Sequence, residues 1–409
     1  MNISIKTIVI ASLFIFLSSF CQAQSITKLK DDAKNLNDSW SQNKLGSIYE
    51  NGEGVDKNPE LAFYWYKKAA DNGYSYGCYN LGRHYEKGLS VAVDMTKALY
   101  WYEKAALANH AYSNLKLGRW YLNGNNVSKN YKQAAAYFKN AAFQGKAEAK
   151  YYMGYCYVYG YGVKQDSLRA LLWLNRAIDD DYYFSYYLLG NMYKDGLSVI
   201  KDEKQAFMYF VLGADKNEPA CQNSLAICYL EGRGVEADTI KAIEYFEKSA
   251  NNGNLYGQRN LAYKYKYGIG VKKDIKKAIY WFEKSAGHND EDSYEELIYA
   301  CYSIKDYNSL FKYVKKGSEL NYKACLNTLA YCYAKGEGTD VDFKKAIETI
   351  DHAISIFPNE ANLYDSKGEI LMLKGKKRDA KKMWEKVNEI DPQFYKENDS
   401  KLNKFVKSD

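Results

Sequence analysis

The sequence predicts an all-α protein, an α-solenoid of stacked helix hairpins, on three observations. An apolar anchor recurs every 36 residues, at Leu45, Leu81, Leu117, Met153, Leu189, Leu225, Leu261 and Leu297. Small, aromatic and glycine columns keep the same register around each anchor, which is the mark of a repeat architecture. Only 4 Pro occur among 409 residues, which favours helix over a loop-rich β fold.

The columns define one unit. Immediately after the anchor stand Gly46, Gly82, Gly118, Gly154, Gly190, Ala226 and Ala262. Four residues after it stand Tyr49, Tyr85, Tyr121, Tyr157, Tyr193, Tyr229 and Tyr265. Anchor, small residue and Tyr share one face of a first helix, and the small residue admits a second helix closely. Three residues on, Gly52, Gly88, Gly124, Gly160, Gly196, Gly232 and Gly268 end that helix in the left-handed conformation. Val55, Val91, Val127, Val163, Val199, Val235 and Val271 then tuck the loop onto the core.

The second helix starts at an N-cap column of Asn58, Asp94, Asn130, Asp166, Asp202, Asp238 and Asp274. Pro59 suits a first helical position, where its missing N–H does no harm. Ala62, Ala98, Ala134, Ala170, Ala206, Ala242 and Ala278 face the core, followed by the rings of Trp65, Trp101, Tyr137, Trp173, Tyr209, Tyr245 and Trp281. Gly73, Asn109, Gly145 and Gly253 turn the chain into the next hairpin. A hairpin alone cannot bury so large an apolar face, so neighbours stack. Length alone gives about two or three domains; the unbroken register replaces that count with one quasi-linear array.

Composition narrows function. The net charge is +7, from 57 basic and 50 acidic residues that are interspersed, so no nucleic-acid footprint is indicated. Tyr is in large excess, at 42 residues. Residues 1–23 read as a signal peptide: Lys6, an apolar run from Ile8 to Phe20 too short for a stable span, then Cys21-Gln22-Ala23 as a cleavage site. The expectation is export, periplasmic or secreted, with no transmembrane segment after cleavage. A lipid anchor on Cys21 is the minor alternative, disfavoured by Phe20 where a small residue is wanted. Seven Cys then remain (Cys78, Cys156, Cys221, Cys228, Cys301, Cys325 and Cys332), an odd number that cannot form a closed disulfide framework. They read as small buried apolar residues.

The segments LGSIYENGEGVDKNPELAFYWYKKAADNG, LGRHYEKGLSVAVDMTKALYWYEKAALAN and LAYKYKYGIGVKKDIKKAIYWFEKSAGHN resemble the Sel-one-like repeat family, a relative of the tetratricopeptide repeat. The resemblance implies a right-handed α-solenoid and a scaffold or adaptor role. It divides the chain into the signal (1–23), an N-terminal cap (24–38), seven repeats (39–290), a shortened tetratricopeptide-like hairpin (291–324), a further repeat (325–357), a tetratricopeptide-like unit (358–395) and a polar tail (396–409). There are departures. Ser90, Asn126 and Ser198 replace the second loop Gly, so those loops are expected to differ; the unit after Leu297 loses the loop, and its next anchor, Leu329, follows after 32 residues. Some relatives bridge neighbouring hairpins by a disulfide at the place of Cys78, but Ala70 holds the partner position, so no bridge is expected there.

Motifs for chemistry are sparse. His84, His110, His288 and His352 lie in separate units without ligand spacing, so they read as surface or packing residues and no metal or other cofactor is implied. Ser-x-x-Lys occurs at Ser25–Lys28, Ser198–Lys201 and Ser309–Lys312, without the partner motifs of penicillin-recognising enzymes. No catalytic site is assigned. Tetratricopeptide-like arrays line a concave groove with their first helices, and that geometry places three positions on the groove. Five before the anchor come Tyr76, Tyr112, Phe184 and Tyr256. Two before come Tyr79, Tyr151, Tyr187 and Arg259. Two after come Arg83, Arg119, Tyr155, Asn191 and Tyr263. Tyr and Arg are enriched at binding hot spots. The expected partner is a protein or extended peptide, with a cell-wall glycan such as peptidoglycan as alternative, a β-lactam or cell-wall hydrolase as a lesser one, and no nucleic acid.

Overall fold

The computed structural model describes residues 26–394. The expected signal peptide, the Cys21 anchor, Ser25 of one Ser-x-x-Lys and the 396–409 tail lie outside them. Among the described residues every regular element is a helix. Two compact units divide at Ala206/Phe207, and the register runs through the division: Ala206 and Phe210 keep their columns, at 2% and 1% exposure.

In the first unit, residues 26–35 are helical. Then come α1 (Ser39–Asn51), α2 (Pro59–Asp71), α3 (Ser75–Lys87), α4 (Met95–Leu107), α5 (Ala111–Asn123), α6 (Tyr131–Phe143), α7 (Ala147–Tyr159), α8 (Ser167–Asp179) and α9 (Phe184–Asp195). The division falls within α10 (Glu203–Asp215). The second unit continues with α11 (Pro219–Glu231), α12 (Thr239–Asn251), α13 (Leu255–Tyr267), α14 (Ile275–Ala286), α15 (Glu291–Ile304), α16 (Tyr307–Glu319), α17 (Lys323–Lys335), α18 (Phe343–Ile356), α19 (Ala361–Leu373) and α20 (Lys377–Ile390). Within each unit a first helix packs on the second helix of its own hairpin, and that helix packs on the next first helix, so the hairpins stack as an α-solenoid.

The local rules hold residue by residue. The first helices end on Gly52, Gly88, Gly124, Gly160, Gly196, Gly232 and Gly268, all left-handed. The side chains of Asn58, Asp94, Asn130, Asp166, Asp202, Asp238 and Asp274 each accept a backbone N–H of the following first turn. The turn between hairpins is left-handed at Gly73, Asn109, Gly145 and Gly253, and also at Asp181, Asn217 and Asn289 in the same register. Asn126 and Ser198 keep the left-handed loop that Gly makes elsewhere, at φ 61° and 62°. Ser90 is the one that departs: it is not left-handed, and its hydroxyl bonds His84 Nδ1 at 2.9 Å. The loop Val residues are half-buried rather than fully buried.

Two further columns set the packing. The residue packed against the small position after the anchor is the neighbour of the Trp65 column: Tyr66, Tyr102, Phe138, Leu174, Phe210, Phe246 and Phe282, aromatic in all but Leu174 and all at or below 1% exposure. A Cβ on Gly46, Gly82, Gly118 or Gly154 would lie 2.5–2.8 Å from Tyr66, Tyr102, Phe138 or Leu174. Four residues before the anchor, Gly77, Ser113, Ala149, Ser185, Cys221, Gly257, Ser293 and Cys325 are all buried. They face the preceding second helix: a Cβ on Gly77 would meet Ala69, and Gly317 approaches Cys325. This explains two of the cysteines, which fill a column reserved for small residues. All seven are buried and free, and Cys78 donates to the Ala70 carbonyl at 3.7 Å.

Beyond Leu297 the hairpin is shorter. Lys305, left-handed, and Asp306 alone join α15 to α16. In the last hairpin Gly375 turns the chain at φ 83°, and Gly368 lies against Trp384.

Candidate functional site

First-helix faces carry the predicted residues, and the structure separates exposed ones from those spent on packing. In the first unit Tyr76 and Tyr112 are 52% exposed. Both lie against His110, Tyr76 edge-on at 4.6 Å and Tyr112 at 6.0 Å, and Tyr79 completes the cluster at 4.6 Å from the same imidazole. His110 is the N-cap of α5, its Nδ1 accepting Ser113 N–H at 3.2 Å. Burial, aided by Lys146, pushes its pKa down to about 4, so the ring is neutral and can accept. The Lys146 ammonium sits 3.5 Å above the Tyr112 ring.

These residues border a cleft of about 380 Å³ lined by Tyr79, Tyr112, Leu115, Lys116, Arg119, Trp120, Asn123, Asn125 and Glu148. Arg119 is exposed and reaches Glu148 at 3.3 Å. Lys116 pairs with Glu86 at 2.9 Å, and Glu86 also accepts the buried Tyr102 hydroxyl at 2.7 Å. The preceding hairpin repeats the device: Glu50 accepts Tyr66 at 2.7 Å and Arg83 at 3.0 Å. Burial alone would raise the Glu50 pKa; the Tyr66 hydroxyl and the Arg83 guanidinium outweigh it and hold the carboxylate below its usual range. Arg83 is thus a clasp between first helices.

The other predicted residues of this unit form an aromatic run across α7 and α9. Tyr151 is 8% exposed, with Tyr182 and Phe184 at 5.3 and 5.4 Å. Tyr155 lies tilted against Tyr159 at 4.6 Å, and burial pushes its phenol up to about 12. Phe184 contacts Tyr187 at 5.4 Å. The buried Oδ1 of Asn191 has no hydrogen-bond partner among the described residues. Tyr151, Tyr155, Phe184 and Tyr187 therefore serve packing between neighbouring first helices.

In the second unit Tyr256 is 54% exposed under Arg259, whose guanidinium lies 5.5 Å from its ring and binds Asp290 at 3.2 Å and Asp292. Tyr263 donates to Glu296 at 3.2 Å; burial, then that carboxylate, pushes it up to about 12. A second cleft, of about 480 Å³, lies on α15, α17 and α19 between Glu295, Tyr299, Tyr302, Lys323, Asn327, Tyr331 and Lys335. Sequence reasoning missed it. Tyr299 and Tyr331 stand two residues after Leu297 and Leu329, the position already singled out at Tyr263, but the shortened unit interrupts the period.

His84 and His110 are buried, while His288 and His352 are exposed. Among the described residues no group of three or more His, Cys, Asp or Glu is placed to hold a metal, and no helix is long and apolar enough to cross a membrane. The described Ser-x-x-Lys pairs are engaged elsewhere. Ser198 bonds Gln165 and the Val158 carbonyl, Lys201 faces Glu203, and Lys312 pairs with Glu283.

Stacked hairpins with aromatic and charged first-helix faces define a repeat scaffold of the protein-interaction type. The Sel1 repeat model matches residues 41–74, 75–110, 111–146, 147–182, 184–218, 219–254, 255–290 and 324–348. The chain belongs to the Sel1 repeat family. A Sel1 repeat protein from Oxalobacter formigenes is 30% identical over 68% of this chain and 81% of that one, with a TM-score of 0.56. A protective antigen of uropathogenic Escherichia coli with an SLR fold is 26% identical over 94% and 90%, with a TM-score of 0.48. No curated protein matches. Repeat folds of this kind are typically non-catalytic scaffolds that bind proteins.

Proposed function

We propose that the chain is an exported, non-catalytic adaptor that binds another protein or an extended peptide on its first-helix faces. The supporting observation is the cleft of the first unit, where Tyr79, Tyr112 and Arg119 meet. Rigid Tyr rings give contact area at low entropy cost, and Arg adds directed hydrogen bonds. A cell-wall glycan is the second reading, favoured by Asn123 and Asn125, which line the same cleft as the Tyr112 and Trp120 rings.

The test avoids Arg83 and Tyr151, whose replacement would disturb packing. The chain from Gln24 onward, and a Tyr76→Ala, Tyr112→Ala, Arg119→Glu variant, are incubated with envelope extract. The expected result is a protein retained by the parent and lost by the variant, at unchanged helical content. Equal retention by both overturns the assignment of the face; retention of glycan fragments alone favours the second reading.

A further inference from the structure

Helix α20 breaks a rule that the other second helices keep. Those helices begin under an Asp or Asn side chain, as α16 does under Asp306 and α18 under Asp342. The cap of α20 is Lys376, which makes no side-chain capping bond. Within residues 374–382 lie Lys374, Lys376, Lys377, Arg378, Lys381 and Lys382 against the single carboxylate of Asp379. That net of +5 is most of the +7 carried by the whole chain.

Local physics disfavours this arrangement twice. Cations oppose the positive end of a helix dipole. Lys377 with Lys381, and Arg378 with Lys382, are like charges one turn apart, which also destabilises. The six cations are exposed, and among the described residues only Lys376 has a carboxylate in ion-pair reach, Asp379 at 4.0 Å. Ala380, Trp384 and Val387 turn into the core, which leaves Lys377, Arg378, Lys381 and Lys382 on the outward side of α20, with Lys374 and Lys376 in the turn that leads into it. Beside it Leu373 is 52% exposed.

We propose that this face docks the chain on an anionic phospholipid surface. The cations spread along a helix face instead of converging on a pocket, which suits a plane of distributed charge better than a single bound phosphate. Five of the six are Lys, compact point charges suited to diffuse attraction, where Arg would favour directed bidentate contacts. Clusters of four to eight basic residues on a helix bind anionic lipid in this way, and Leu373 can settle among the headgroups. Attachment is peripheral and reversible.

The experiment is co-sedimentation of the chain from Gln24 onward, which keeps every described residue. Vesicles are phosphatidylcholine alone or mixed with phosphatidylglycerol, in about 0.1 M salt, where screening acts over about 10 Å. Binding is expected to the anionic vesicles only, with release as salt rises. Replacing Lys377, Arg378, Lys381 and Lys382 by Gln should lower it at least about tenfold. Replacing Lys272, Lys273, Lys276 and Lys277 by Gln removes the same charge elsewhere and should leave binding within about twofold. Circular dichroism checks that both variants remain helical. The proposal is overturned by equal binding to neutral vesicles, by equal losses in the two variants, or by capture on soluble polyglutamate with none on anionic vesicles.

Discussion

Replacing Gly82 by Ala tests the reasoning about the hairpin interface. The new Cβ would stand 2.8 Å from Cε1 and 2.9 Å from Cδ1 of Tyr102, so one of them must move. Tyr102 cannot retreat freely, because its hydroxyl is held by Glu86 at 2.7 Å. Overpacking costs about 1–3 kcal/mol, and loosening a hydrogen bond to a charged group about 1.5–3 kcal/mol. Better helix propensity returns about 1 kcal/mol. The net is a loss of about 1.5–5 kcal/mol, centred on ~3, or roughly 150-fold faster hydrogen exchange through local opening. Gly118→Ala makes a shorter contact, 2.6 Å from Phe138, yet Phe138 carries no hydroxyl to pin it. Ala226 with Phe246 and Ala262 with Phe282 show that such a pair packs fully buried. Its expected loss is below about 1 kcal/mol. Peptide-resolved exchange suits this array, where a single unfolding free energy is poorly defined. Adding Tyr102→Phe to Gly82→Ala should recover most of the protection. Equal losses at Gly82 and Gly118, or no relief from Tyr102→Phe, would refute the pinning argument.

Stability should fall as pH drops from about 6.5 toward 4, because burial lowers the His110 pKa to about 4 and the unfolded chain takes up the proton first. His110→Asn, which places at this cap the residue used at Asn254, should flatten that part of a melting-temperature profile; an unchanged slope counts against it. Below the ordinary carboxylate range the Glu50 contribution is lost too, since its folded pKa is depressed, and Glu50→Gln should remove that acid limb. Native protein should react with a thiol reagent only as fast as it unfolds, because burial raises the thiols, Cys78 to about 11 and Cys156 to about 12; prompt labelling of any cysteine contradicts this. Gly160→Val forces a β-branched residue to φ 71°, and should destabilise the loop after α7 by about 1–3 kcal/mol in local exchange.

The fold was legible because each repeat column carries one physical job. Asp and Asn cap, Gly turns left-handed, and Ala admits a helix; such jobs depend on neighbours a few residues away. Sequence reading was incomplete where the job depends on a partner across the hairpin. It put the Trp65 column on the core face by its spacing of three from the Ala column, and Trp65 and Trp173 are indeed buried, at 6% and 8% exposure. The close contact with Gly46, which it left unassigned, belongs to the neighbouring Tyr66. A signal for this existed. The buried residue of that column carries a hydroxyl only where the residue five after the anchor is Glu: Tyr66 with Glu50 and Tyr102 with Glu86, but Phe138 with Leu122 and Leu174 with Val158. A buried hydroxyl needs an acceptor, and the two columns change together for that reason.

The site was less legible for the same physical cause. Positions two before and two after the anchor face neighbouring first helices as well as solvent, so one residue type can serve either use. Arg83 and Arg119 share a register position, yet Arg83 closes on Glu50 at half-buried depth while Arg119 stays exposed beside the cleft. The deciding residue is the partner about 30 positions away: Glu50 also holds the buried Tyr66, whereas Glu148 accepts only Arg119 among its described hydrogen bonds. The proposed recognition face therefore narrows to the side chains that packing leaves exposed: Tyr76, Tyr112 and Arg119 in the first unit, and Tyr256 and Tyr299 in the second, rather than the whole Tyr and Arg column.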